Sequence, residues 1–548
     1  MKLAISLAAT LFAAAPTAMA PAVSPTLVGI GFICGAEDAS PATNSAATGV
    51  MIPGVGTGTY AIDTANRDAE AWFNHALRLY HAFAHDEAKA AFARAAALDP
   101  NCSTCASGVA LSLGPTLNTG ITPADTVTAR KTAERALELA KPDDTRARGL
   151  AAALKVRYAE ADPAGGREKA FGRALDELFK ANPRDDMIAS LTAHALIIPA
   201  RQEDYSGVPR AVEILETVLA RSPDDTAAIH YYIHATEFAG RAPLALPHAD
   251  RLADLAPGSG HLVHMGTHTQ MRVGHYQDVA LSNARAMQVD VQSQSTLPTS
   301  GSLAQRYYLH NYLFGLSGAL MAGDEQLALR YADHAEKAFT TATPARNQKL
   351  SRARSLVALG RYAPDRALAA AEGKGDPRLL RIYRHYARGE AYAAKGDAAG
   401  VLREAALVAA VRAKGADPGD LGNEREVAEI AEDVLKGRAA MVTGRPAEAI
   451  THYQKAVATQ EKAFPVLRNF DPPPWWYPVR RSLAAAYLKA GQRDAAIREA
   501  KTSLVEWPND GLALRILAEA DRPGAADYRA AARKAYGGDL AKVPIDLT

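Results

Sequence analysis

AWFNHALRLYHAFAHDEAKAAFARAAALDP, residues 71–100, is the stretch whose reading decides the fold. Its apolar residues recur at spacings of three and four, alanine dominates, and it ends on a proline, which has no amide proton with which to continue a helix. Similar breaks recur along the chain as ANPRDD (181–186), RSPDD (221–225), LAPGS (255–259) and EWPND (506–510). Each places a proline after a helix, and another helix begins about 34 residues after the last. Strand-like alternation is almost absent from Asp68 onward, which predicts an all-α fold.

Within 71–100, Trp72, Ala76, Ala88, Phe92, Ala95 and Pro100 stand where a tetratricopeptide repeat has its aromatic, small, small, aromatic, small and proline residues. YPVRRSLAAAYLKAGQRDAAIREAKTSLVEWP (477–508) matches again through Leu483, Ala484, Tyr487, Ala496 and Pro508. The chain therefore resembles the tetratricopeptide repeat family, in the manner of a secreted bacterial member. Inserts such as GPTLNTGITPAD and QSQSTLPTSGS interrupt the period in the middle. The resemblance implies an α-solenoid, a right-handed superhelix of antiparallel helix pairs. Small residues lie where helices touch, and no pair buries its surface alone. The first helix of each pair is then expected to line the concave face, where ligands usually lie.

At 548 residues the chain is too long for one compact core. Its 62 basic and 60 acidic side chains nearly balance, so nothing global favours nucleic acid or an anionic membrane surface. MKLAISLAATLFAAAPTAMA (1–20) has one lysine, an apolar stretch and a small-x-small ending, which predicts a cleavable export signal. Its apolar run falls short of the roughly 20 residues that a membrane span needs. The mature chain is expected to be soluble, exported, periplasmic and without a stable membrane anchor. Residues 21–66 read as an irregular leader and 67–540 as the repeat array. The three cysteines are too few for a disulfide framework, and Cys102 and Cys105 of CSTC read as a disulfide, two thiolate ligands or two small buried residues.

The histidines carry the functional question. With Pro223 and Pro257 as repeat ends, His230, His234 and Glu237 fall at the fifth, ninth and twelfth positions of one first helix. His261, His264 and His268 fall at the second, fifth and ninth positions of the next. His194 takes a ninth position in the preceding repeat and His310 a second position in the following one. These side chains are all expected to face the concave groove, seven imidazoles from four neighbouring helices. Several neutral imidazoles converging within roughly 2.0 to 2.2 Å of a point make a metal centre. The same set would also suit recognition of a carboxylate-bearing ligand or a structural role.

A mostly imidazole site suits copper, zinc or iron, with copper first by affinity order outside the cytoplasm, and seven histidines suffice for one or two ions. Glu237 argues partly for zinc or non-haem iron, since two histidines and a carboxylate is a common set for both. His75 reads as a buried hydrogen-bonded residue. His81, His85, His248, His334, His385 and His452 read as having no convergent partner, and His275 as exposed. Trp475 and Trp476 in NFDPPPWWYP either cap a ligand or staple neighbouring repeats. GxSxG, a phosphate-binding glycine loop and HExxH are all missing.

The expectation is thus a repeat protein with a histidine-rich metal centre. Its chemistry would be that of a metal-dependent oxidase, oxygenase or hydrolase acting on a small molecule or peptide in the groove. The alternatives are a protein-binding scaffold and a non-catalytic metal carrier.

Overall fold

The proline breaks act twice. At Pro183, Pro223, Pro257 and Pro508 a turn ends one helix, and the residue two positions on caps the next. Asp185 accepts from the Ile188 amide, Asp225 from Ala228, Ser259 from Leu262, and Asp510 from Leu512 and Ala513. Such a cap satisfies amides left without partners in the first turn and is worth about 1 kcal/mol. PxD and PxS therefore set the register of each first helix to the residue.

The computed structural model describes residues 50–547 except 119, 160–165, 203, 297–304, 340–344, 374, 418–419 and 466–471. The expected export signal, Cys34 and most of the expected leader lie outside the described residues. The described residues form twenty-four α-helices and no strand. Taken two by two along the chain, they build an α-solenoid of tetratricopeptide-like pairs, from Arg67–His81 with His85–Leu98 to Gly511–Ala520 with Ala525–Ala535. No helix among them is long and apolar enough to cross a membrane.

Close approach between helices explains the small residues. A Cβ on Gly108 would stand 2.3 Å from the Phe92 ring, and one on Gly266 would stand 2.6 Å from the Ala249 carbonyl oxygen. Gly266 lies between His264 and His268, so the tight seat of Gly260–Val273 against Leu246–Leu255 turns both histidines to the opposite side.

Residues 54–57 and 509–537, near the two ends of the described residues, contact the middle repeats. Gly54 accepts from the Gly258 amide at 2.8 Å, and the Thr57 amide donates to Thr226 Oγ1 at 2.9 Å. At the other end Asn509 Nδ2 donates to the Val273 carbonyl at 3.0 Å and the Gly537 amide to Ala322 at 2.7 Å. These contacts fall at the starts and ends of the helices that carry the histidines.

The Pro-aromatic loop is a staple. Trp475 is fully buried with its ring 4.8 Å from Tyr386, and Trp476 Nε1 donates to the Tyr386 hydroxyl at 3.1 Å. Cys102 and Cys105 form a disulfide, which resolves the three readings of CSTC.

Candidate metal centre

Three helices bring six imidazoles together in two triads. His230 and His234 of Thr226–Phe238 meet His261 of Gly260–Val273. His264 and His268 of that second helix meet His310 of Gln305–Ala322. In each triad one ligand nitrogen per residue lies within 4.8 Å of the others. The two triads share one design: the fifth and ninth positions of one first helix, closed by the second position of the next. One step along the solenoid carries the first triad onto the second. The preceding step would use Ser190, His194 and Ala227, and the following one begins with Leu313 and Ser317, so neither repeats the full set.

In the first triad His230 Nδ1 lies 2.6 Å from the His81 carbonyl oxygen. A carbonyl only accepts, so Nδ1 carries the proton and Nε2 presents its lone pair to the triad. His234 Nε2 and His261 Nε2 stand 3.2 and 3.3 Å from that atom. Nitrogens at about 2.0–2.1 Å from a tetrahedral ion are separated by roughly 3.3–3.4 Å, so these spacings match the edges of such a site.

In the second triad His264 Nδ1 lies 2.7 Å from Asn283 Oδ1. The Asn283 amide orientation follows from its other contact, because Nδ2 donates to the Val279 carbonyl at 2.8 Å. His264 Nδ1 is therefore the protonated atom, and its Nε2 is buried with no hydrogen-bond partner. His268 Nδ1 donates to Glu237 Oε2 at 3.1 Å, again leaving Nε2 for the triad. The outer partners of His230, His264 and His268 are thus a carbonyl, an amide and a carboxylate, the kinds of group that orient metal-binding imidazoles.

Burial disfavours the charged form of His230, His234, His261 and His264 and of their neighbours His81 and His194. It pushes His81 and His230 down to about 3, and holds His194, His234, His261 and His264 well below their ordinary value, with neighbouring imidazoles adding to the effect. A neutral imidazole is the form that ligates. For Glu237 burial acts upward, but His268 and Arg272 outweigh it and hold the carboxyl below its usual range.

Two expected residues lie outside the triads. Glu237 is turned away by the Arg272 guanidinium, whose Nε donates to Glu237 Oε1 at 3.0 Å, while Oε2 serves His268. The carboxylate therefore does not complete the expected set of two histidines and one acid. His194 stacks on Tyr231 with ring centroids 4.5 Å apart, and its Nδ1 is 3.4 Å from the Tyr80 hydroxyl.

His81, expected to have no convergent partner, is buried beside the first triad, with Nδ1 2.8 Å from the Tyr231 hydroxyl. Phe83, two residues on, adopts φ 56°, a left-handed conformation that bulky residues rarely take. Its ring lies 4.5 Å from His230 and 5.1 Å from His261. A non-glycine residue in the HAFAH turn was the available signal, but nothing local indicates which distant helix the turn meets.

The remaining histidines have other partners. His75 accepts from the Ile52 amide at 3.3 Å, His334 meets the Tyr308 hydroxyl at 2.6 Å, and His385 and His452 pair with Glu404 and Asp433 at 2.8 and 2.9 Å. His85 contacts Thr116 Oγ1 at 3.2 Å, and the His248 ring meets Tyr232 edge-on. His275 is partly exposed beside Asp278.

A cavity touches one residue of the second triad, His268. Met271, Phe314, Pro473, Trp476 and Trp507 supply its apolar walls, and Glu237, Arg272, Ser317 and Glu506 join His268 in its polar lining.

No family model and no curated protein matches this chain. Among solved structures it is similar to the P58(IPK) TPR domain at 12% identity, over 86% of this chain and 100% of that one, with a TM-score of 0.24. It is similar to yeast Tom70 at 13% identity, over 86% and 89% of the two chains, with a TM-score of 0.24. It is also similar to human IFIT1, solved as a dimer with m7Gppp-AAAA, at 14% identity over 87% and 96%, with a TM-score of 0.32. The likeness reaches no further than the helix-repeat architecture.

Proposed function

We propose that this chain is a metal protein whose two histidine triads each hold one transition-metal ion, with copper ranked ahead of zinc and iron. One observation carries the reading: His234 Nε2 and His261 Nε2 stand 3.2 and 3.3 Å from His230 Nε2 while the Nδ1 proton of His230 is engaged elsewhere. His230 Nε2 has no proton, so it can pair with only one neighbouring N–H at a time, and an empty triad leaves nitrogen lone pairs facing each other. A cation satisfies all three at once.

Glu237, Asn283 and the His81 carbonyl act as the outer groups that fix ligand orientation. A set of three imidazoles with no carboxylate departs from the two-histidine, one-acid set of non-haem iron and suits copper and zinc alike, with copper first by affinity order. On this reading the protein is an exported, bacterial-type metal-dependent oxidase, oxygenase or hydrolase with a small molecule in the cavity beside His268, or a metal carrier if it does not turn over. The export signal expected at residues 1–20 and the Cys102–Cys105 disulfide support an oxidising compartment.

A protein-binding scaffold is the second reading, and the repeat architecture taken alone favours it, because solenoids present extended binding surfaces. His230, His234, His261, His264 and His268 are all buried, so a protein partner would meet other residues of the solenoid. Elemental analysis of protein purified without chelator or His-tag, beside a His230→Ala/His264→Ala variant, separates the readings. Stoichiometric metal lost in the variant supports the metal protein. Absence of metal in both, even after reconstitution, leaves the scaffold. Turnover then distinguishes enzyme from carrier.

A further inference from the structure

Each triad has a phenylalanine packed on it. The Phe314 ring stands 4.8, 4.7 and 4.9 Å from the rings of His264, His268 and His310. Those three imidazoles stand 4.6, 4.9 and 5.7 Å from one another, so the four rings sit near the corners of a tetrahedron. Imidazoles bound at about 2.0–2.1 Å around a tetrahedral ion have ring centres roughly 5 Å apart. The phenyl ring thus holds the place of a fourth ligand ring.

The first triad is built alike. His230 stands 5.0 Å from both His234 and His261, and Phe83 stands 4.5, 5.1 and 6.1 Å from His230, His261 and His234. Both phenylalanines are 1% exposed. They reach their triads by unrelated routes. Phe314 lies four residues after His310 on one helix, whereas Phe83 comes from a turn far earlier in the chain and takes a left-handed conformation there, which persists only where the surroundings enforce it.

Neither triad includes a carboxylate. Glu237 meets His268 at Nδ1, on its outer side, and its charge is taken up by Arg272. A divalent ion among three neutral imidazoles would keep both its charges in a buried site, and the cost of burying charge grows with the square of that charge. Zinc(II) and copper(II) also take a fourth donor, and a phenyl ring has no lone pair to give. Copper(I) carries one charge and is stable with three donors.

We infer that both triads are three-coordinate sites selective for copper(I), with Phe83 and Phe314 standing where a divalent ion needs its fourth ligand. This rests on the metal reading above, and within that reading it favours the carrier over the oxidase.

The test loads full-length protein with copper(I) without oxygen and titrates separate samples with zinc(II). Two copper(I) ions per chain are expected, with the copper K-edge spectrum of three-coordinate, nitrogen-bound copper(I). Phe314→His and Phe83→His each offer an imidazole at the fourth corner, and histidine accepts a positive φ more readily than most residues. Each variant is expected to gain one zinc site at least about 100-fold tighter than any in the native chain. A four-coordinate copper spectrum in the native protein, native zinc sites as tight as those of the variants, or no gain in zinc affinity in a folded variant overturns the three-coordinate assignment and leaves the metal reading standing. The native spectrum decides even where a variant fails to fold. A native protein that takes up neither copper(I), copper(II) nor zinc(II) overturns both.

Discussion

Replacing Asn283 by leucine removes one atom that matters to the second triad. Asn283 is fully buried and its Oδ1 accepts the His264 Nδ1 proton at 2.7 Å, while Nδ2 is occupied by Val279 and Thr267. Leucine has nearly the same shape and no acceptor. His264 is then free to move its proton to Nε2, the atom that faces the triad, and each such molecule loses a ligand. Loss of an outer partner of this kind costs 10–100-fold in metal affinity, about 1.4–2.7 kcal/mol. Thr267 Oγ1, 3.3 Å from His264 Nδ1, is the acceptor left in reach, so the lost bond adds an apoprotein destabilisation of about 1 kcal/mol. Asn283→Asp keeps an acceptor for His264 but sets an oxygen against the Val279 carbonyl where Nδ2 donated, so it is expected to retain metal affinity while lowering apoprotein stability. Competition against a chromophoric chelator, with the two ions resolved as separate steps, reads the effect. The expected result is one weakened step in Asn283→Leu, the other step unchanged, and two native-like steps in Asn283→Asp. Native affinity at both steps in Asn283→Leu, with the melting curve showing a folded protein, refutes the assigned role of His264.

Burial, with a smaller contribution from Arg78, lowers His75 from its ordinary value of 6.5 to about 4, so its neutral form is the folded one. A depressed folded value means a His75 contribution that is complete above about pH 6.5 and falls as pH drops toward 4, by about 3 kcal/mol; denaturant midpoints of the apoprotein at pH 7.5 and 4.5, compared with those of His75→Gln, measure it as the part of the loss that the variant lacks, the other buried imidazoles supplying the rest. Opening the Cys102–Cys105 disulfide with reductant, or by Cys102→Ser/Cys105→Ser, is expected to cost at most about 2 kcal/mol because the closed loop is short, read as a lower melting temperature. Arg438 is 1% exposed and bonds Glu390 at 3.0 Å, so Arg438→Ala strands a buried carboxylate and should cost about 3–5 kcal/mol, whereas changing both residues to apolar ones should cost much less.

The repeat design and the histidine register were legible because both are local. Pro223 and Asp225, or Pro257 and Ser259, place a helix start to the residue, and counting from it puts His230, His234, His261, His264 and His268 on one side. The split into two triads follows from the same count, since the fifth, ninth and next second positions are neighbours in space. Glu237 read as a ligand because it shares a face with His230 and His234, but its fate was set by Arg272, 35 residues on and in the next repeat. His81 and Phe83 were harder still. They reach the site from a turn about 150 residues earlier in the chain, through superhelical curvature and end-to-middle contacts that no local period encodes. The staple made by Trp475 and Trp476 depends on Tyr386 in the same way.

The central claim is that the two triads hold two ions. Anomalous diffraction from crystals of the native, metal-loaded protein, collected on both sides of the copper edge, tests it most directly. The account predicts two peaks per chain, one at about 2.0–2.2 Å from the ligand nitrogens of His230, His234 and His261, the other equally placed against His264, His268 and His310. Crystals that show no peak at either triad, or one ion bound by Glu237 and His268 with His230 and His261 left out, would contradict it.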